Sequence, residues 1–279
     1  PLNTARNNHF NFFHIKFLLG TELALSKMCY NIYMIIITSK ANNLIKKTKK
    51  LLQKKHRKST YLIEGWHLFE EASANGAVFE HIFVLEDFLE RLPNQEKVVV
   101  VTPEVLKELS DSPSSQGIVA EVQMDQSSLP ETWQGPYLVL EDIQDPGNLG
   151  TMIRTADAAA YQAVFISDKS ADIYNSKTLR SMQGSHFHLP IYRGSMADFL
   201  AGFKQAGVRI LATTLAEGSI DYRKIERPES FALVMGNEGQ GISEQTAKKA
   251  DDLLHIDMPG QAESLNVAVA AGIMMFNLI

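Results

Sequence analysis

The amino-acid sequence predicts an α/β protein of two layered lobes in series, the second built on a parallel sheet. Three observations lead there. Apolar runs of four to six residues alternate with helical stretches across 137–279, the pattern of strands covered on both faces. A shorter alternation precedes it, and a polar, turn-rich stretch with Ser127, Ser128, Pro130, Gly135 and Pro136 separates the two. With 279 residues, 45% hydrophobic and 21% charged, the chain has material for two cores of ordinary size. The boundaries read as an extension at 1–33, a first lobe at 34–125, a linker at 126–136 and a second lobe at 137–279.

Taken in order, residues 1–33 are Asn-rich and aromatic, with His9-Phe10-Asn11-Phe12-Phe13-His14 and no helical or strand period. They predict a non-native or disordered extension outside the fold. A targeting peptide fits less well: basic residues are sparse, Lys16, Gly20, Thr21 and Glu22 break the apolar stretch, and no apolar run of membrane-spanning length follows. Between Lys40 and Lys58 come Lys46, Lys47, Lys49, Lys50, Lys54, Lys55, Arg57 and Lys58 with no acidic residue among them. If helical, this run would bury Ile45, Leu51 and Leu52 and fan its cations outward, either as a solvated face or as a phosphate-contacting one. The first lobe continues with strands at 60–63, 81–85 and 98–101, a helix from Trp66 to Asn75 and a helix beginning near Pro103. In the second lobe the strands are 137–141, 163–166, 187–191, 209–213, 231–235 and 253–256. Its helices are 149–160, 176–182, 196–206, 243–250 and 265–278.

Net charge is −5, which speaks against a uniformly basic nucleic-acid binder but leaves room for the local patch. A single cysteine, Cys29, cannot close an internal disulfide, and no Cys/His cluster has metal-ligand spacing. The expectation is a cytoplasmic protein with no metal and no membrane segment.

Three separated segments carry the chemistry. Asn148-Leu149-Gly150-Thr151-Met152-Ile153-Arg154 opens a helix that Asn148 is placed to cap, and Arg154 is a lone cation on its otherwise apolar or small surface. An ion pair with Asp142 or Asp157 is the structural alternative for Arg154. Gly236-Asn237-Glu238-Gly239-Gln240-Gly241 follows an apolar run; its Gly-x-x-Gly-x-Gly spacing reverses the dinucleotide fingerprint, and no Gly-Lys-Ser/Thr supports a P-loop. Ser264-Leu265-Asn266-Val267-Ala268 follows Ile256-Asp257-Met258-Pro259-Gly260, with Ser264 a candidate helix cap. Ligands in open α/β sheets bind at such strand-to-helix loops.

The order, spacing and flanks of these segments resemble the SpoU (TrmH) family of RNA ribose methyltransferases. The first lobe resembles only the RNA-binding domain common in that family. The resemblance implies a SPOUT domain with a deep trefoil knot, S-adenosylmethionine as cofactor, a homodimer, and ribosomal or transfer RNA as substrate. It implies catalytic roles for Asn148, Arg154, Glu238, Ser264 and Asn266, and cofactor contacts at Gly236, Ile256 and Leu265. Thr213 at a strand end, the backbone of Asn237 and Gly239, and Met258 complete the expected cofactor pocket. It also turns the basic run into an RNA-binding surface, represented by Lys46, Lys50, Lys54 and Arg57. A ribose hydroxyl is a poor nucleophile while protonated, so methyl transfer needs near-attack positioning and an exit for the proton. A guanidinium is a poor base, which makes Arg154 a bidentate phosphate clamp and support for the developing alkoxide, with Glu238 as proton acceptor or orienter. The alternative of another class is a non-catalytic RNA-binding or ribosome-assembly factor with the same fold.

Overall fold

A computed structural model describes residues 35–279 except 95, 113–114 and 126–127, so the expected extension at 1–33 lies outside the described residues. The first sheet contains β1 (Ile35–Ile37), β2 (Thr60–Glu64), β3 (Phe79–Val84), β4 (Val98–Val101) and β5 (Ile118–Gln123) in the order β1-β4-β3-β5-β2. β5 runs antiparallel to both of its neighbours, while β1, β3 and β4 are mutually parallel. Two of these strands, β1 and β5, escaped the sequence reading. β5 is interrupted in its apolar run by Glu121, yet that carboxylate is buried and hydrogen-bonded with the Thr60 hydroxyl at 2.8 Å and His81 Nδ1 at 2.9 Å.

Three helices accompany this sheet: α1 (Asn43–Lys49), α2 (Trp66–Ala74) and α3 (Pro103–Lys107). The Asn42 side chain caps α1 by accepting from the Leu44 amide at 2.8 Å. The basic run is not one helix: α1 stops at Lys49 and tight turns follow at Lys50–Leu52 and Lys54–His56. Ile45 and Leu51 are buried as expected.

The second sheet contains β6 (Tyr137–Leu140), β7 (Ala163–Ser167), β8 (Ile191–Gly194), β9 (Arg209–Thr213), β10 (Ile220–Asp221), β11 (Phe231–Met235) and β12 (Asp252–His255). Its order is β10-β12-β9-β11-β6-β7-β8 and every pair is parallel. Its helices are α4 (Pro146–Ala158), α5 (Ser176–Met182), α6 (Met196–Gln205), α7 (Glu244–Lys249) and α8 (Val267–Asn277). β6, β7 and β11 are buried at every position, which is why they read as unbroken apolar runs. Alternate residues serve opposite faces. Tyr137, Val139, Phe165 and Val234 pack with Phe199 and Phe203 of α6. Leu138, Leu140 and Leu233 pack with Met152 and Ile153 of α4 and Met274 and Met275 of α8, in a cluster that continues to Tyr61, Ile63 and Phe69 of the first lobe.

Element starts needed correction at three places. The strand expected at 187–191 is β8, because residues 185–187 curl into a tight turn and Pro190 has no amide proton to give. α4 begins at Pro146 with Asp145 as its cap, so Asn148 is not the cap. Asn266, not Ser264, caps α8. The chain leaves β6 toward β7 on one side and β11 toward β12 on the other, so a crevice opens beyond the carboxyl ends of β6 and β11, where such sheets bind ligands.

Candidate active site

Three loops meet at that crevice. The loop after β6 contains Asp142, a residue with positive φ (56°). Its strain is offset by Ser167, whose hydroxyl donates to Asp142 Oδ1 at 2.7 Å and accepts from the Asp142 amide at 2.8 Å. The Asp142 carbonyl in turn accepts from Asn237 Nδ2 at 2.8 Å, tying the glycine-rich loop after β11 to the loop after β6. Asn237 spends its side-chain oxygen on the Gly239 and Gln240 amides, at 2.9 and 3.0 Å, and closes a backbone pair with Gly241. Its side chain therefore shapes the loop and is not free for a ligand.

Glu238 is the hub. Its carboxylate accepts from the Gln144 amide at 3.1 Å, the Asp145 amide at 3.0 Å and Asn148 Nδ2 at 3.2 Å. Burial pushes the carboxyl up, but the amide donors outweigh it and leave the group below the ordinary carboxylate range. A carboxylate held ionised by three donors is a poor proton acceptor and a good anchor, so the geometry supports orienting over proton transfer. Asn148 Oδ1 then accepts from Asn266 Nδ2 at 3.0 Å, and Asn266 Oδ1 caps α8 through the Ala268 amide at 2.9 Å. One chain of hydrogen bonds thus links Asn266, Asn148 and Glu238, one residue from each of the three segments. Asp145 caps α4 and also receives Lys177 Nζ at 2.7 Å; neither residue was singled out from the sequence, although an acidic residue just before Pro146 is a recognisable helix start.

Arg154 lies six residues beyond Asn148 on α4, roughly 9 Å along the axis. It is exposed, and among the described residues it joins no ion pair. Asp142 and Asp157, the alternatives for pairing with it, are engaged elsewhere, Asp142 near Lys169 at 3.7 Å and Asp157 with His188 at 2.7 Å. Thr213, at the end of β9, donates its hydroxyl to the Val234 carbonyl at 3.1 Å and so belongs to the strand scaffold. Ile256 and Met258 are half-buried on the segment after β12, and Ser264 and Leu265 are exposed just before Asn266. Backbone amides together with these partly open apolar side chains suit an adenosyl group, which needs hydrogen bonds and apolar cover more than charge.

Gly236 is also constrained by its own loop. A Cβ there would stand 2.2 Å from the Gly241 carbonyl carbon and 2.3 Å from the Ile242 nitrogen. The two ends of its own loop therefore come together at Gly236. Arg57 is also corrected. Its side chain is only 6% exposed, paired with Asp172 and donating to the Leu51 carbonyl at 3.2 Å. It staples the two lobes and does not face solvent, unlike Lys46, Lys50 and Lys54, which are exposed.

Comparison with known proteins identifies the family. Residues 135–276 match the SpoU rRNA Methylase family, and residues 42–120 match the MRM3-like substrate binding domain. The 23S rRNA (guanosine(2553)-2'-O)-methyltransferase RlmP of Bacillus subtilis is 40% identical over 87% of this chain and 98% of its own length. An AdoMet-bound rRNA methyltransferase from Sinorhizobium meliloti superposes with a TM-score of 0.81 at 33% identity, over 88% of this chain and 97% of that one. A crystal structure described as an RNA 2'-O ribose methyltransferase superposes with a TM-score of 0.75 at 31% identity, over 88% and 98% of the two chains.

Proposed function

Because the chain belongs to the SpoU rRNA methylase family, we propose that it transfers a methyl group from S-adenosylmethionine to a ribose 2'-hydroxyl of ribosomal RNA. The observation that carries this reading is the hydrogen-bonded set Asn148, Glu238 and Asn266 at the crevice, with Arg154, unpaired among the described residues, on the same helix as Asn148. When bound, S-adenosylmethionine supplies an electrophilic methyl group. The protein's part is to hold the ribose in line with it and to stabilise the oxygen as its proton passes to water. The glycine-rich loop and the segment 256–266 hold the cofactor, with Gly236 setting the loop's shape and Ile256, Met258 and Leu265 covering the adenosyl group. Arg154 grips the adjoining phosphate and supports the alkoxide. Glu238 keeps Asn148 and the start of α4 in place. The test is to supply ribosomal RNA and S-adenosylmethionine and map ribose methylation at nucleotide resolution. A single 2'-O-methylated nucleotide is expected; a methylated base, or binding without transfer, overturns the reading.

The lobe at 34–125 selects the RNA in this reading, and Lys46, Lys50 and Lys54 are its electrostatic face. Lys40 and Lys49 are tied to Glu108 at 2.9 and 2.5 Å, but these three lysines have no such partner among the described residues. Reversal of all three to glutamate is expected to weaken RNA binding and to flatten the dependence of log K on log salt by roughly 0.7 to 0.9 for each phosphate that is no longer neutralised. Titrations at several salt concentrations measure this. Unchanged affinity and slope would leave the lysines as a merely solvated surface.

The active form in this reading is a cytoplasmic homodimer. α8 is apolar around its whole circumference, a property of helices covered on all sides. Yet Val269 and Phe276 are 52% and 54% exposed, with Ile273 beside them at 36%. A second copy covering this face would bring its weight onto the helix that Asn266 caps. Sedimentation at micromolar concentration is expected to give a dimer for the natural chain and a monomer for Phe276→Glu, and a monomeric natural chain removes the dimer.

A further inference from the structure

Among the described residues Arg154 joins no ion pair, although Asp157 stands three residues further along α4, a spacing at which opposite charges on a helix meet. Asp157 turns instead to His188, whose Nδ1 lies 2.7 Å from Asp157 Oδ2 while Nε2 lies 2.9 Å from Glu71 Oε2 on α2 of the first lobe. The three side chains are between 26% and 33% exposed, so water screens the arrangement only in part. Carboxylates only accept, so the ring can satisfy both at once only as the doubly protonated imidazolium. The bond from Asp157, helped by Glu71 and opposed by burial, raises the His188 pKa above the ordinary histidine value. The titratable groups facing the ring are Glu71 from α2, Asp157 from α4 and His186 from its own turn. Burial and the neighbouring His188 hold His186 neutral, its pKa lowered to about 3. Room for Glu71 comes from Gly184, where a Cβ would stand 2.7 Å from Glu71 Cγ.

We propose that His188 is a positioning residue for methyl transfer: with Glu71 it holds the Asp157 carboxylate away from Arg154 and keeps that guanidinium available to RNA. The inference rests on the reading of Arg154 as the RNA-facing cation. It makes the seating of the RNA-selecting lobe, through Glu71, a condition for a competent α4. Without the bridge, Asp157 loses its partner and draws Arg154 into an ion pair along the helix.

The test compares single-turnover methyl transfer by the natural chain, His188→Gln, Asp157→Asn, the double variant and Arg154→Ala, each checked by thermal unfolding. His188→Gln is expected to lower the rate about fivefold, the scale of one ion pair, with the KM for S-adenosylmethionine unchanged. The double variant is expected to recover the rate of Asp157→Asn, because the competing carboxylate is gone. A double variant no faster than His188→Gln overturns the proposal. Near-natural activity in Arg154→Ala overturns the reading beneath it, whereas an inactive Arg154→Ala without recovery in the double variant overturns the proposal alone. Should His188→Gln fail to fold, the pH profile decides. The rate of the natural chain relative to Asp157→Asn should fall as pH rises through the raised His188 pKa, and a ratio independent of pH overturns the proposal.

Discussion

Arg154→Ala is expected to lose about a thousandfold in methyl transfer, the scale on which a preorganised donor to a developing oxyanion acts, while S-adenosylmethionine binds as before. The expectation follows from where α4 places the side chain: on the exposed surface beyond Asn148, unclaimed by any carboxylate among the described residues. Since no partner is lost on truncation, stability should hardly change, and the effect should fall on turnover alone. Arg154→Lys should also be poor, because a point charge does not reproduce a two-pronged grip on phosphate. Single-turnover rates beside calorimetric cofactor titrations measure both halves of the claim. Turnover within a few-fold of the natural chain would make Arg154 a surface cation without a catalytic role.

Gly236→Ala is expected to lower cofactor affinity by about ten- to a hundredfold, equivalent to the ~1–3 kcal/mol by which overpacking usually disrupts a closed arrangement. The new methyl would meet the backbone of Gly241 and Ile242 at 2.2 and 2.3 Å, and backbone cannot swing aside as a side chain can. The loop must open, the Asn237–Gly241 pair must part, and Glu238 must shift away from Gln144, Asp145 and Asn148. Calorimetric titration of S-adenosylmethionine into a variant shown by circular dichroism to be folded would register the loss. Undiminished affinity would mean that the loop's closed form is not needed by the cofactor.

What the sequence disclosed and what it withheld divide by range. The strands β6, β7 and β11 were legible because both faces are buried, so composition alone marks them. The glycine-rich loop was legible from its spacing, but the return of Gly241 beside Gly236 shows only in the folded loop. Asn148 was read as a cap for a local reason, whereas its actual partners are Glu238 and Asn266, 90 and 118 residues away. Arg57 looked like one more cation in a basic run. Its burial depends on Asp172, 115 residues later, and nothing near Arg57 announces that. Long-range pairing of polar side chains leaves no periodic signature.

The junction made by Arg57 with Asp172 and by Tyr61 with His186, the latter at 2.9 Å, has a consequence for how the chain is born. Every strand of the first sheet has been translated by Gln123. The face that carries Tyr61 and Ile63, however, is completed by residues such as Tyr174, Leu179 and Met182 that emerge from the ribosome considerably later. Until then the nascent first lobe carries an apolar flank without these residues to cover it, and its arginine staple lacks Asp172 to close upon. A chain of the SpoU rRNA methylase family thus spends part of its own synthesis, beside the ribosome's RNA, with a sticky, cationic lobe exposed, a stage at which prompt elongation or a chaperone would matter more than the stability of the finished molecule.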